Sequence, residues 1–265
     1  MSCESWYGVN KRHIELLEAA DVRLFQIFFK SHSKTVGDAY FAETGSLKIN
    51  QILSKRRLMY HHHILHRDVN ELIRKAYIAQ SLKPTRNDFW KAVKTDQKYY
   101  EINLSDDEIS SMSKGVYKKF IEEKIYRKAT EEILQSRKSK MQMIIKSVKC
   151  DKKGKLMTQS YIKTNKLTPL QTLFELRAFN FQTKSNYKSQ YQEDMSCRIC
   201  LQEDSFEDEE HTFFDCNVLM DDIDIEEDIK FEDVFGTLEA QIKAVKYFTK
   251  IIEKRNIILD IRQKP

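Results

Sequence analysis

Apolar residues recur at three- and four-residue intervals along most of the chain, the spacing that gathers them on one face of an α-helix. Ile14, Leu17, Leu24 and Phe28 form one such stripe behind a candidate cap at Asn10. Polar residues with Gly37 and Gly45 then mark a break over 31–46. A helix is expected over 49–66. Asp68 with Glu71, Thr85 with Asp88, and Ser105 with Glu108 each have the spacing of a helix N-terminal box and start three more, the first running to Gln80. Tyr117, Ile121, Ile125 and Ile133 predict a helix over 116–135. Thr168-Pro169 starts another, reaching Phe181, because proline's fixed φ suits the first helical turn. Past an acidic linker at 221–233, Ile242, Val245, Phe248 and Ile252 place a last helix from Leu238. The expected fold is mostly α.

Composition agrees. The chain holds 6 Gly and 3 Pro in 265 residues, too few turn-formers for a β-sandwich or propeller. Charged residues make up 32% and hydrophobic ones 41%, enough to bury a core under an ionic surface. No run approaches the ~18 apolar residues of a membrane span, and the start lacks a signal peptide's apolar run. Five cysteines in this length do not make a disulfide scaffold, so a reducing compartment, nuclear or cytoplasmic, is expected.

The net charge of +5 conceals a division. Residues 1–190 carry 36 Lys/Arg against 20 acids, whereas residues 191–265 carry 9 against 20. The basic body is expected to meet a polyanion, RNA or DNA, through phosphate contacts. The acidic tail could fold back on that surface or dock on a basic protein partner. The chain thus divides into three regions: a basic helical one at 1–190, a cysteine-bearing one at 191–220, and an acidic linker with a final helix at 221–265.

One constellation has demanding chemistry. Cys197-x2-Cys200-x10-His211-x4-Cys216 supplies the four N/S ligands of a closed tetrahedral zinc site, with a two-residue gap that lets one tight turn present two thiolates. Cys3 and Cys150 read as ordinary thiols. The loop between the outer ligands carries Glu203, Asp204, Glu207, Asp208, Glu209 and Glu210, with Arg198 its one base. A phosphate backbone would be repelled there, so the zinc is expected to staple the C-terminal region while basic helices bind. The candidate binding residues are Lys55, Arg56 and Arg57; Arg137, Lys138, Lys140, Lys146, Lys149, Lys152 and Lys153; and Arg177, Lys184 and Lys188, interleaved with Phe179, Phe181 and Tyr187. Aromatic faces can stack on unpaired bases, although at helical spacing they also serve a core. His61, His62, His63 and His66 do not complete a metal shell, and packing or phosphate contact is expected of them.

The segment 197–216, ending Glu210-His211-Thr212-Phe213-Phe214-Asp215-Cys216, resembles the terminal zinc knuckle of non-LTR (LINE-type) retrotransposon reverse transcriptases. Ser2-Cys3-Glu4-Ser5-Trp6-Tyr7-Gly8 is similar to the stretch that follows that family's catalytic palm. Arg56-Arg57-Leu58-Met59-Tyr60, Ile64-Leu65-His66-Arg67, Ser111-Met112-Ser113-Lys114 and Leu173-Phe174-Glu175-Leu176-Arg177 are similar, in order, to its thumb and connector helices. The resemblance covers roughly residues 1–255. It implies a helical thumb/connector-like bundle, a CCHC zinc knuckle and a C-terminal helix. The family's polymerase needs a Tyr-x-Asp-Asp turn to hold magnesium. Asp106-Asp107 and Asp221-Asp222 do not follow that pattern, and no endonuclease region precedes residue 1. The expectation is therefore a non-catalytic nucleic-acid-binding region with a structural zinc. The alternatives are a protein-interaction module using the acidic tail and knuckle, or an inactive retroelement remnant.

Overall fold

The structure, a computed structural model, describes residues 11–31, 35–85, 88–164, 167–181, 183–184, 194–202, 204–221, 223 and 229–263. The 2–8 stretch, Asn10, Lys188 and Glu203 lie outside the described residues. The described chain is mostly helical, with two isolated antiparallel bridges its only β pairings. In order come α1 (Lys11–Phe29), α2 (Gly37–Thr44), α3 (Ile49–Leu65), α4 (Leu72–Leu82), α5 (Phe89–Tyr99), α6 (Asp106–Ser111), α7 (Lys114–Leu134), α8 (Gln142–Ser147), α9 (Leu167–Arg177), α10 (Asn217–Met220) and α11 (Leu238–Gln263). Among the described residues, no helix is long and apolar enough to cross a membrane.

The chain divides into two compact units, each assembled from separate stretches. The first takes residues 1–24, 40–136 and 148–157; the second takes 25–39, 137–147 and 158–265. The compositional boundaries at 190 and 220 fall inside the second unit.

In the first unit α3 packs on α4, α5, α6 and α7. Leu58, Val93, Ile109, Tyr117, Ile121 and Ile125 make its core, so the 117/121/125/133 stripe lies inward as its period requires. The Ser105/Glu108 box is present in full: Glu108 N–H donates to Ser105 Oγ at 3.2 Å, and Ser105 N–H to Glu108 Oε2 at 2.7 Å. The Thr85/Asp88 box starts no helix at Thr85: α5 begins at Phe89, and Asp88, at its N-cap position without a side-chain cap bond, takes the Thr85 hydroxyl at 2.5 Å. The box expected at Asp68 starts no helix. Its carboxylate takes the Asn70 N–H at 2.7 Å, closing a turn, and α4 begins past Glu71.

His61 and His62 of α3 serve packing, whereas His63 is exposed and bonded to Arg67. His61 is fully buried, its Nε2 2.8 Å from the Tyr77 hydroxyl, and burial lowers its pKa. Tyr77 donates to Asp106 at 2.9 Å, and Lys94 pairs with the same carboxylate at 3.1 Å. His62 stacks on Tyr117 at 4.9 Å, with Nε2 2.9 Å from the Met112 carbonyl.

Other elements depart further from expectation. Leu24 and Phe28 are exposed, while Phe29 is buried and stacks on Phe174 at 4.1 Å; the working stripe of α1 is rotated from the one its spacing suggested. The break at 31–46 contains α2, whose Ala39-Tyr40-Phe41-Ala42 run is buried; an element buried all round shows no amphipathic period. On α11 Ala244, Val245, Phe248 and Ile251 face inward, and Ile242 is exposed. The acidic linker ends in a 3₁₀ turn, Phe231–Phe235, that buries Val234 and sets Phe231 6.0 Å from Phe248.

The helix expected to reach Phe181 stops at Arg177. Phe179 N–H bonds the Leu176 carbonyl and Asn180 N–H that of Glu175, the paired closure of a helix whose next residue is left-handed. Phe179 holds that position with φ +47°, where glycine is usual. Nearby, burial pushes the half-buried Glu175 carboxyl up to about 7 from its ordinary 4.5, against the lowering pull of Arg255. The folded state thus holds an extra proton between those values, and stability falls as pH rises through that window. Glu175→Gln is expected to stabilise the protein at pH 8, by at most about 3 kcal/mol, and to change little near pH 4. Denaturant titrations of both proteins at the two pH values check this.

Candidate metal centre and basic face

The four ligands lie on two short pieces of chain in the second unit. Ser196 and Phe206 pair in an antiparallel bridge, and Cys197 N–H bonds the Ser205 carbonyl at 2.9 Å. Between them the backbone turns tightly: Leu201 N–H reaches back to the Cys197 carbonyl at 3.0 Å, and Leu201 is left-handed at φ +59°. This brings Cys197 and Cys200 to one point. The other pair comes from a π-helical turn, His211–Asp215, closed by Cys216 N–H on the His211 carbonyl at 2.7 Å. Asp208 starts that turn by accepting the His211 N–H at 2.8 Å.

The ligating atoms of Cys197, Cys200, His211 and Cys216 all lie within 4.8 Å of one another. Cys200 Sγ and His211 Nε2 are 3.4 Å apart. Sulfurs about 2.3 Å from a tetrahedral ion would sit somewhat under 4 Å from each other, so the group could hold one metal ion. Cys197 and Cys216 are buried, and Cys200 and His211 are close to it. The thiol of Cys197 is pulled down, chiefly by the hydrogen bond from Cys216 and then by the Cys200 and Ile199 amides; that of Cys216 is pushed up by the proton it shares. A bound metal ion would take the place of that proton, because ligation requires thiolates.

The centre is tied to the unit's core. Phe213, between His211 and Cys216, is fully buried 4.8 Å from Phe248 and 5.0 Å from Phe181, and its carbonyl accepts from the Tyr247 hydroxyl at 3.1 Å. Glu207, which in the sequence stands in a row of acids expected at the surface, is completely buried. It bonds Arg198 Nε at 2.7 Å and Arg255 Nη2 at 2.6 Å. Arg255 is itself buried on the inner face of α11, where helical spacing from Phe248 and Ile251 could have flagged it.

The candidate nucleic-acid residues part company. Arg177 is fully buried: it donates to the Val234 carbonyl at 2.7 Å and Ser147 Oγ at 2.8 Å, and lies 4.8 Å from the Phe235 ring. Lys184 is buried and bonded to Asp194 at 2.8 Å, which holds that carboxyl down at about 2. Arg57 is spent on Asp96 at 2.6 Å, and Lys140 on the Phe179 carbonyl at 2.7 Å. These four are interior or anchoring groups. Arg56, Arg137, Lys138, Lys146, Lys149, Lys152 and Lys153 are exposed, Lys138 in a pair with Asp38 at 3.1 Å.

Within the first unit part of this set converges. Cys150 and Leu156 pair across a turn in which Asp151 Oδ1 accepts the Lys153 and Lys155 amides at 2.8 and 3.0 Å. Gly154 takes φ +75°, which an L-residue resists, and its carbonyl accepts from Thr130 Oγ1 on α7 at 2.7 Å. Lys155 sits 4.9 Å from the Tyr126 ring. The lysine-bearing turn is thereby fixed to α7. Glu122 on α7 bonds Lys55 at 2.7 Å, and Lys55 first, then the charges of Lys118 and Lys153, hold its carboxyl below the usual range. Cations of α3, α7 and the turn thus all act on one carboxylate, Lys55 through a direct ion pair and Lys118 and Lys153 through their charge. Lys118, exposed on α7, is not among the candidates its local sequence suggested.

No family model, curated protein or solved structure matches this chain. The Cys3His group and the lysines around Glu122 therefore speak for its function through their geometry alone.

Proposed function

We propose that the protein is a non-catalytic nucleic-acid-binding region of the kind that the resemblance to non-LTR reverse transcriptases implies, with a structural zinc at the Cys3His group. The observation that carries the binding role is the set of exposed lysines Lys118, Lys149, Lys152 and Lys153, the last three on or beside the turn whose Gly154 is bonded to α7. Ammonium groups in such an array follow a phosphate backbone without reading bases, so affinity for single-stranded RNA or DNA comes with weak sequence preference. Three thiolates and an imidazole are a soft donor set that suits zinc, and a closed four-ligand shell suits a structural role. The site would couple metal binding to folding of the 194–221 segment.

Fluorescence anisotropy with a labelled single-stranded RNA and a DNA of equal length tests the binding role. Three or four phosphate contacts on a single strand predict a loss of about 20–50-fold in affinity between about 50 and 200 mM salt. Lys118→Glu with Lys153→Glu is expected to remove most of the affinity and leave the circular dichroism spectrum unchanged. Salt-independent binding, or full affinity in that double variant, would refute the reading.

A further inference from the structure

In the second unit, the acidic turn leading into His211 forms one wall of a cavity of about 520 Å³. Phe179, Phe214 and Phe231 line it together with Asp208, Glu210 and Glu232. Glu209 and Lys230, also in the wall, have bonding partners within the protein. The described lining thus carries four acids, Asp208, Glu209, Glu210 and Glu232, against one lysine, Lys230. The local field therefore favours a cation. Among the described residues, the Cys3His group is the one set of three or more ligating atoms close enough for a metal ion. The acids of the cavity form no such set, which suits a larger organic cation better than a metal ion.

We propose that this cavity receives an arginine side chain from a basic peptide segment of a partner protein. This goes beyond the nucleic-acid reading and does not depend on it. A guanidinium stacks on aromatic faces and bonds carboxylates in its plane, so a wall that alternates phenyl rings and carboxylates offers both contacts at once. The same unit uses the full pairing at Arg255 and the ring contact alone at Arg177. Arg255 lies 5.0 Å from the Phe181 ring while bonded to Glu207, and Arg177 lies between Phe235 at 4.8 Å and Tyr161 at 5.5 Å.

A second, independent observation concerns Phe179. A bulky residue at φ +47° is strained against glycine, the usual occupant of that position. The strained backbone directs the ring 5.3 Å from Phe231, completing the aromatic side of the cavity. Lys140 holds the Phe179 carbonyl in place. Strain of this kind concentrates at binding sites.

The test uses the full chain and a fluorescein-labelled Gly-Gly-Arg-Arg-Gly-Gly peptide, with a citrulline version as its uncharged counterpart. The arginine peptide is expected to bind and to shift the ring-proton resonances of Phe179, Phe214 and Phe231, and the citrulline peptide to bind about tenfold or more weakly. Glu210→Gln with Glu232→Gln should weaken the arginine peptide about tenfold. Glu232→Gln alone, away from the metal ligands, should give part of that loss. Glu253→Gln with Asp260→Asn removes equal charge from exposed positions of α11 and should leave affinity unchanged. Equal binding of the two peptides, equal losses in the two double variants, or no binding would each overturn the proposal. Arginine amide binding as tightly as the peptide would overturn its assignment to a peptide.

Discussion

Cys200→Ser is expected to abolish stoichiometric metal content and to unfold the 194–221 segment, leaving the first unit's helices intact. Two facts set the size of this effect. Structural zinc contributes on the order of 10 kcal/mol to the segments it organises, because the unfolded chain offers no preformed site. The ligand pieces also carry Phe213 and Glu207 into the core, so loosening them opens the packing against α11. Elemental analysis should find about one zinc per chain in the parent and far less in the variant. Limited proteolysis should show new cleavage within 194–221 in the variant and in chelator-treated parent. A variant that keeps full metal content and protease resistance would refute the site.

The second large effect is expected at Arg255. Its truncation to alanine leaves Glu207 buried with Arg198 as its remaining partner, and it removes the guanidinium from the Phe181 face. Breaking a buried pair from one side costs about 3–5 kcal/mol, most of it the penalty of the charge left behind. Arg255→Met with Glu207→Leu removes both charges and should recover much of that loss. Burial opposes the charge of Glu207, but the bonds from Arg198, then Arg255, hold its carboxyl below the ordinary 4.5. Its contribution is therefore complete above that pH and is lost as acid brings the solution through the lowered value. Denaturation midpoints at pH 7 and pH 3 for the parent and the double variant test the sign: the parent should lose more on acidification.

How much of this was legible in the sequence depended on how far apart the interacting residues lie. The Ser105/Glu108 box spans three residues and could be read directly, as could the inward stripe of α7. The Cys3His spacing was legible because ligand chemistry imposes it on the chain. Arg177 and Lys184 were not. Both stand in a basic, aromatic stretch that reads as a binding strip, yet Arg177 is satisfied by a carbonyl 57 residues away. Glu207 was hidden in the same way, among acids that do face solvent, because its partner Arg255 lies 48 residues later. The basic face came through in part. Its lysines are local, but their convergence on Glu122 needed a left-handed Gly154 docked on α7. α2 escaped notice because a short helix buried on every side has no polar face to betray it.

The interleaved make-up of the two units has a consequence for synthesis on the ribosome. Every stretch of the first unit has been made by residue 157, whereas the second must wait for the end of α11. Phe29 meets its stacking partner Phe174 only after 145 more residues have been joined. At translation speeds of about 5–20 residues per second that is roughly 10–30 s. For that interval the nascent chain carries a bare phenyl surface, an opening for chaperones and a hazard in crowded polysomes.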